Sequence, residues 1–279
     1  MGLPAVSIIT PTEGRPDMVA TLLKSSHKAR LFYSGWTEHL IVDNSEESVS
    51  YKIEEICRVH EAKYIKADTD NVRKKRNLGA ELSKGDILFF LDSDIEPTEE
   101  IITTHIESLT IDAPGSLGTI KFCGKPTLWN TIMETTALTQ SFNYAENYKT
   151  ALWGPAANLM VWKNKFEAIN GFTVDFPALL GGDDLDLTLR LTDTYGPLKC
   201  TPKAICFHER RTWASFQSAI HRSFRWGRME FYLLKRHEKK AVASPLKFWV
   251  CAFLAFFVTF FFSLEPLKLA VMFFTYLIF

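Results

Sequence analysis

Ile87-Leu88-Phe89-Phe90-Leu91-Asp92-Ser93-Asp94 carries five apolar residues straight into two carboxylates separated by one serine. The apolar run reads as a strand. Side chains two apart on an extended backbone point the same way, so Asp92 and Asp94 are expected to converge at the strand's carboxyl end. Hard oxygen ligands placed there suit Mg2+ or Mn2+. A solvated Asp-Ser-Asp turn is the plainer reading of the same three residues.

Outward from this strand the chain alternates. Val6-Ser-Ile-Ile-Thr10 reads as a buried strand, Asp17 to Ala29 as a helix, and His39-Leu-Ile-Val-Asp43 as a second strand ending on a carboxylate. A helix from about Ser48 to His60, a short strand at Lys63-Tyr64-Ile65 and a helix around Arg76 to Leu82 lead into the Ile87 strand. Such alternation predicts an α/β fold with a mostly parallel sheet and with ligands at the carboxyl ends of its strands. Further on, Ser116 to Ala157 is interrupted by Gly118, Gly124, Pro126, Gly154 and Pro155 and reads as strands and loops. Gly181 to Thr194 returns to a helical pattern, and Phe216 to Lys240 reads as a basic, aromatic helix.

The chain has 279 residues, enough for one large α/β domain and an appendage. Lys+Arg and Asp+Glu are both 32, so nothing in the overall charge points to nucleic acid or another polyanion. Five scattered cysteines without a C-x-x-C pair suit reduced thiols in a reducing compartment. The opening residues hold no basic segment followed by an apolar core, so no cleaved signal is expected.

A second acidic cluster is Gly181-Gly182-Asp183-Asp184-Leu185-Asp186-Leu187-Thr188-Leu189-Arg190. Carboxylates are favoured by the unpaired N–H groups and the dipole at a helix start, which accounts for one or two of the three acids. On a helix Asp183, Asp186 and Arg190 share a face, so Asp186 is expected to pair with Arg190. Asp184 points elsewhere and is free to face a cleft. A third candidate is His208 in Ala204-Ile-Cys-Phe-His208-Glu-Arg-Arg211, a strand-like run ending in a polar cluster. Arg210 and Arg211 beside it either neutralise phosphates or sit in solvent.

Taken together these motifs resemble family 2 glycosyltransferases of the GT-A fold. Asp92-Ser93-Asp94 resembles their D-x-D motif. Thr10 and Thr12 after the first strand, Asp43 after the second, and Arg73-Lys-Lys-Arg76-Asn77-Leu-Gly79 before Gly85-Asp86 fall in the family's order. The run from Gly181 resembles G-E-D-x-D-L-x-x-R, with Asp183 where Glu is usual. The resemblance covers roughly Val6 to Lys240. It implies that Thr10, Thr12 and Asp43 line the base and ribose pocket, with Asp43 accepting from a pyrimidine ring. Arg76, Asn77, Asp92, Arg190 and Arg211 would serve the donor's sugar and phosphates. Asp92, Asp94 and His208 would hold Mn2+ or Mg2+, and the catalytic acids would be Asp183, Asp184 and Asp186, with Asp184 the general base. The implied reaction is inverting transfer from a nucleotide-sugar, a UDP-sugar first among them, to a hydroxyl of a lipid-linked or glycan acceptor. Two rivals remain open: a nucleotidyltransferase, which usually opens with a richer glycine loop than Thr10-Pro-Thr-Glu-Gly14, and a non-catalytic, membrane-tethered nucleotide-sugar-binding protein.

The strongest shift in composition comes late. Leu246 to Ser263 is almost wholly apolar, and after Glu265-Pro266-Leu267-Lys268 a second apolar run reaches Phe279. The first is near the lower limit of the ~17–25 residues that cross a hydrocarbon core, and the second, from Leu269 to Phe279, is shorter. A buried hairpin is the alternative, but Phe and Leu occur on every face rather than in a stripe. The second run stops without a polar flank, as a truncated longer protein would. Arg222, Arg225, Arg228, Lys235, Arg236, Lys239 and Lys240 precede the first run and Lys247 sits at its start, and this excess predicts a catalytic domain on the cytoplasmic side of the cell membrane. His221-Arg222-Ser-Phe-Arg225-Trp226-Gly-Arg228 loosely resembles an R-x-x-R-W-G element, and suits an interfacial amphipathic helix equally well. The expected organisation is a catalytic domain over 1–215, an interfacial helix over 216–245 and membrane segments over 246–279.

Overall fold

The computed structural model describes residues 2–135, 137–175 and 181–213, with scattered positions between 215 and 237. Two compact units are present. The first comprises Met1–Lys125 and Ser141–Thr212; the second takes Pro126–Gln140 and the chain from Trp213 onward. The apolar runs over 246–279 and most of the expected interfacial helix, Arg222 and Trp226 to Arg228 included, lie outside the described residues. Among the described residues no helix is long and apolar enough to cross a membrane.

In chain order the elements are β1 (Val6–Thr12), α1 (Pro16–Phe32), β2 (Thr37–Asp43), α2 (Glu47–Val59), β3 (Lys63–Lys66), α3 (Val72–Glu81), β4 (Ile87–Leu91) and β5 (Ile95–Pro97). Then follow α4 (Ile101–Ser108), β6 (Gly115–Cys123), α5 (Leu128–Thr135), α6 (Tyr144–Asn147), β7 (Thr150–Ala151), β8 (Asn158–Trp162), α7 (Lys163–Ala168), α8 (Asp183–Tyr195) and β9 (Leu198–Glu209). The α5 helix belongs to the second unit. The sheet of the first unit runs β3-β2-β1-β4-β8-β6-β9-β5, with β7 added on β9. β3, β2, β1 and β4 are parallel, as the alternation predicts. β8 then pairs antiparallel with both β4 and β6, and β6 is parallel to β9.

Both sheet faces are covered, which explains why β4 reads as an unbroken apolar run. Ile87, Phe89 and Leu91 pack on one side with Leu22 and Leu23 of α1 and Ile101 of α4. Leu88 and Phe90 pack on the other with Ala80 of α3, Phe166 of α7 and Leu187 and Leu191 of α8. Two expectations need correction. The α3 helix starts at Val72 rather than near Arg76, because Asn71 caps it by accepting from the Arg73 N–H at 3.0 Å. The stretch from Ser116 to Ala157 holds helical segments as well as strands, and those between Leu128 and Asn147 are each too short for a helical period to stand out.

A buried polar network sets the register at the end of the sheet where β4 finishes. Pairing between β6 and β9 moves from Gly118↔Thr201 to Thr119↔Ile205, so Pro202, Lys203 and Ala204 bulge out of the ladder. The Asn158 amide closes the gap, donating to the carbonyls of Thr119 at 3.1 Å and Ala204 at 2.9 Å. Its oxygen then accepts from His105 Nε2 at 2.9 Å, which leaves His105 Nδ1 to accept from Ser116 Oγ at 2.7 Å. Burial pushes the His105 pKa down to about 4 against the opposing Asn158 bond, so the ring is neutral. Beyond the bulge β9 continues with His208 opposite both Ile95 and Phe122. Asn158→Ala orphans two buried carbonyls and a ring N–H, and is expected to destabilise the fold by about 3 kcal/mol. Urea denaturation checks this, and a midpoint equal to that of the wild type would show the bulge to be self-sufficient.

Candidate active site

The acidic motifs lie at the carboxyl end of the parallel strands, where open α/β sheets bind ligands. Asp92-Ser93-Asp94 is not extended: β4 ends at Leu91, and the chain turns through Ser93 and Asp94 into β5. Asp92 keeps the side of the sheet taken by Leu88 and Phe90, and its Oδ1 accepts from Arg76 Nη2 of α3 at 2.7 Å. Asp94 leaves the turn toward other partners. Its Oδ2 accepts from Arg15 Nη1 at 3.2 Å, and its Oδ1 lies 3.7 Å from His208 Nε2. The turn breaks the two-residue alternation, and the two carboxylates meet different protein partners.

The network at Asp92 centres on Arg76. Nη1 of the same guanidinium donates to Asp183 Oδ2 at 2.5 Å and to Asp184 Oδ1 at 3.2 Å, at the start of α8. Only 5% of the Arg76 side chain is exposed, and burial works against its charge. The carboxylates of Asp92, Asp184 and Asp183 outweigh burial and hold the guanidinium firmly protonated. Its Cζ sits 5.2 Å from the centre of the Phe172 ring. Asp184 is pushed up to about 7, by burial first and then by Asp183, against the opposing pull of Arg76; the Ala156 N–H also donates to it. Yet 29% of its side chain remains exposed, so it is the acid of the α8 pair that a substrate can reach, Asp183 being buried.

Asp186 is fully buried and accepts from Thr173 Oγ1 at 2.7 Å and Arg190 Nε at 2.9 Å. The Asp186–Arg190 pair forms as the helical spacing predicts. Arg190 also donates to the carbonyls of Ile169 and Gly171, so it ties down the turn that follows α7. Asn77 clamps the same turn, donating to Phe172 O at 2.8 Å and accepting from Phe172 N at 2.9 Å. Asn170 and Gly171 are left-handed there, with φ of 59° and 61°.

At the ends of β1 and β2 the expected base pocket is rearranged. Thr10 is buried, and its hydroxyl bonds to His39 Nε2 at 3.0 Å while Ser26 takes His39 Nδ1 at 2.9 Å. Burial, helped by Arg30, lowers the His39 pKa to about 3, so this is a neutral core network. Both Asp43 oxygens are engaged internally, Oδ1 by Ser45 and Oδ2 by Ser50 and Tyr64. Thr12 is different. Its Oγ1 is buried without a hydrogen-bond partner among the described residues. Next to it, Lys75 Nζ joins Thr12 O at 2.9 Å to Asn44 Oδ1 at 2.6 Å. Lys75 and Asn44 were not singled out from sequence; a lysine in a basic helix and an asparagine in a turn carry no distinctive pattern. Arg211 is exposed and pairs with Asp17 and Glu209.

Among the described residues no group of three His, Cys, Asp or Glu side chains forms a metal cluster. The pair Asp94 and His208 nevertheless fits a cation. Their side chains are only 9% and 6% exposed, and His208 Nδ1 lies 3.2 Å from the Glu209 carbonyl, to which it donates. The His208 ring thus presents Nε2 toward the Asp94 carboxylate, and an imidazole nitrogen facing a carboxylate is an arrangement that a shared cation can use. A mixed oxygen and imidazole pair suits Mn2+.

A parallel β/α half continued by a mixed half, with carboxylates gathered at the strand ends, defines a GT-A-like glycosyltransferase fold. The profile described as Glycosyl transferase family 2 matches residues 7–174, and the chain belongs to that family. It is 24% identical over 229 residues to the O-antigen biosynthesis protein RfbC of Myxococcus xanthus, an alignment that takes 74% of this chain and 17% of the relative. The chain therefore spans less than a fifth of that protein's length. Its fold is similar to a mannosyltransferase, PcManGT from Pyrobaculum calidifontis, solved in complex with GDP-Man and Mn2+. The TM-score is 0.55 at 13% identity, over 75% of this chain and 57% of the other.

Proposed function

We propose that the chain transfers a sugar, with inversion, from a nucleotide-diphosphate donor, a UDP-sugar in the first instance, to a hydroxyl of a lipid-linked or polysaccharide acceptor. The observation that carries this reading is the Arg76 guanidinium joining Asp92 below β4 to Asp183 and Asp184 at the head of α8. It gathers a reachable carboxylate and the D-x-D turn at one end of the sheet. Asp184 takes the proton of the acceptor hydroxyl, the freed oxygen attacks the anomeric carbon, and the bond to the diphosphate breaks with its electron pair leaving on phosphate. Thr12, Asn44 and Lys75 lie where β1 and β2 end and serve the nucleoside. Asp94 and His208 would hold Mn2+ or Mg2+, which when bound stabilises charge on the departing diphosphate. The GDP-Man and Mn2+ of the mannosyltransferase support the donor class and the metal, and the O-antigen relative supports a glycan acceptor. Placement at the cytoplasmic face of a membrane rests on the apolar run from Leu246 and the basic residues before it.

The test is a panel of UDP-, GDP-, dTDP- and CMP-sugars with Mn2+, read by thermal shift and by release of the nucleotide. Ligand binding raises the apparent midpoint by mass action, and a chain that neither binds nor cleaves any of them is not this enzyme. The pH dependence is a second check. Because the Asp184 pKa is raised to about 7 and the base must be ionised, kcat/KM should fall about tenfold per unit below that value and level off above it. The linked stability runs the other way: the protonated group favours the folded state, an advantage complete below the usual carboxylate range and lost as pH rises through about 7. A kcat/KM profile flat over roughly pH 5–8 would remove Asp184 as the base.

A further inference from the structure

We propose that Arg76 is the positioning residue of the transfer, the part that carries the geometry of the D-x-D turn to the base. This rests on the glycosyl-transfer reading above, but it assigns Arg76 to the base and not to the donor's phosphates. Four observations lead there. Both arms of the guanidinium are taken by protein carboxylates, Nη2 by Asp92 at 2.7 Å and Nη1 by Asp183 at 2.5 Å and Asp184 at 3.2 Å. The side chain is buried, and the Phe172 ring supports its plane. Phe172 is itself clamped at both backbone polar atoms by Asn77, the next residue along α3. Finally, α8 is tied to the segment after α7, where Arg190 donates to the Ile169 and Gly171 carbonyls and Asp186 accepts from Thr173 Oγ1. The α3 helix, the turn before α8 and the head of α8 therefore meet at one rigid fork.

The consequence is directional. The Asp184 carboxylate is held by Arg76 at Oδ1 and by the Ala156 N–H, which sets the direction in which it meets the acceptor hydroxyl. A planar fork can serve Asp92 and the α8 pair together because its two arms are fixed relative to one another, whereas an ammonium is a single point of charge on a flexible stem. Without the fork, Asp183 and Asp184 would repel each other at the end of α8, and the base would lose its set direction.

The experiment compares wild type, Arg76→Lys, Asp92→Asn and the double variant, using the donor that the wild type cleaves fastest in the panel. UDP with Mn2+ is the probe for binding by calorimetry. Arg76→Lys should lower kcat about 100-fold through misplacement of the base, while the UDP affinity and the acceptor KM stay within about threefold. Asp92→Asn should lower kcat in the same way but less, because Arg76 keeps its hold on α8. In the double variant the losses should not add, since both remove one linkage. If Arg76→Lys does not fold, Asp92→Asn carries the test by the same split between kcat and binding. Loss of UDP affinity with kcat retained in either variant, or full additivity in the double, overturns the proposal. Failure of the underlying reading is distinct: the wild type itself would turn over no donor.

Discussion

Asp184→Asn should lower the rate of sugar transfer by about 10²–10⁴-fold while leaving UDP and Mn2+ binding close to that of the wild type. The amide matches the carboxylate in size and still meets Arg76 and the Ala156 N–H, so the start of α8 should keep its place. What disappears is the proton acceptor. Asp183 cannot substitute, because it is buried against Arg76. Asp186 is enclosed by Thr173 and Arg190. Replacing either of these should act through folding and positioning, lowering thermal stability together with rate. Steady-state kinetics beside a melting curve separate the two patterns. A fully active Asp184→Asn, with Asp183→Asn or Asp186→Asn inactive but stable, would move the base elsewhere in the cluster.

Asp94→Ala should remove the Mn2+-dependent part of UDP affinity, a loss of about 100-fold or more. The reason is the division of the Asp-Ser-Asp turn. Asp94 faces His208 in a nearly closed position, whereas Asp92 is held by Arg76. Asp92→Ala should therefore cost far less metal-dependent binding than Asp94→Ala, and His208→Ala should resemble Asp94→Ala. Calorimetric titration of UDP with and without Mn2+ gives the comparison. Equal losses at Asp92 and Asp94 would mean that both ligate and that Arg76 yields its bond when the cation arrives. No loss at Asp94 would place the cation away from His208.

Much of the site could be read in the order of residues because its motifs sit at strand ends and at one helix start. Acids after β4, a carboxylate after β2 and three acids opening α8 are local features. So is the Asp186–Arg190 pair, which needs only a helical repeat. Thr10 and Asp43 were harder. Their position at strand ends is legible, but the partners that turn them inward are not. Thr10 meets His39 and Ser26, and Asp43 meets Ser50 and Tyr64, from elements separated along the chain. Asn77 and Arg190 likewise show their type in sequence, but not that both hold the turn at Ile169 to Phe172.

The sequence by itself determined the β/α order, the parallel half of the sheet and the end of it that bears the acids, because side-chain period and helix-end chemistry act over a few residues. Only the tertiary structure decided which carboxylate serves which purpose. A one-residue change of direction in the Ser93–Asp94 turn separates Asp92 from Asp94. A buried arginine on α3 then joins Asp92 to acids more than ninety positions further along the chain. Charge pairing in a closed site depends on distance and burial in space, and neither is written in local spacing.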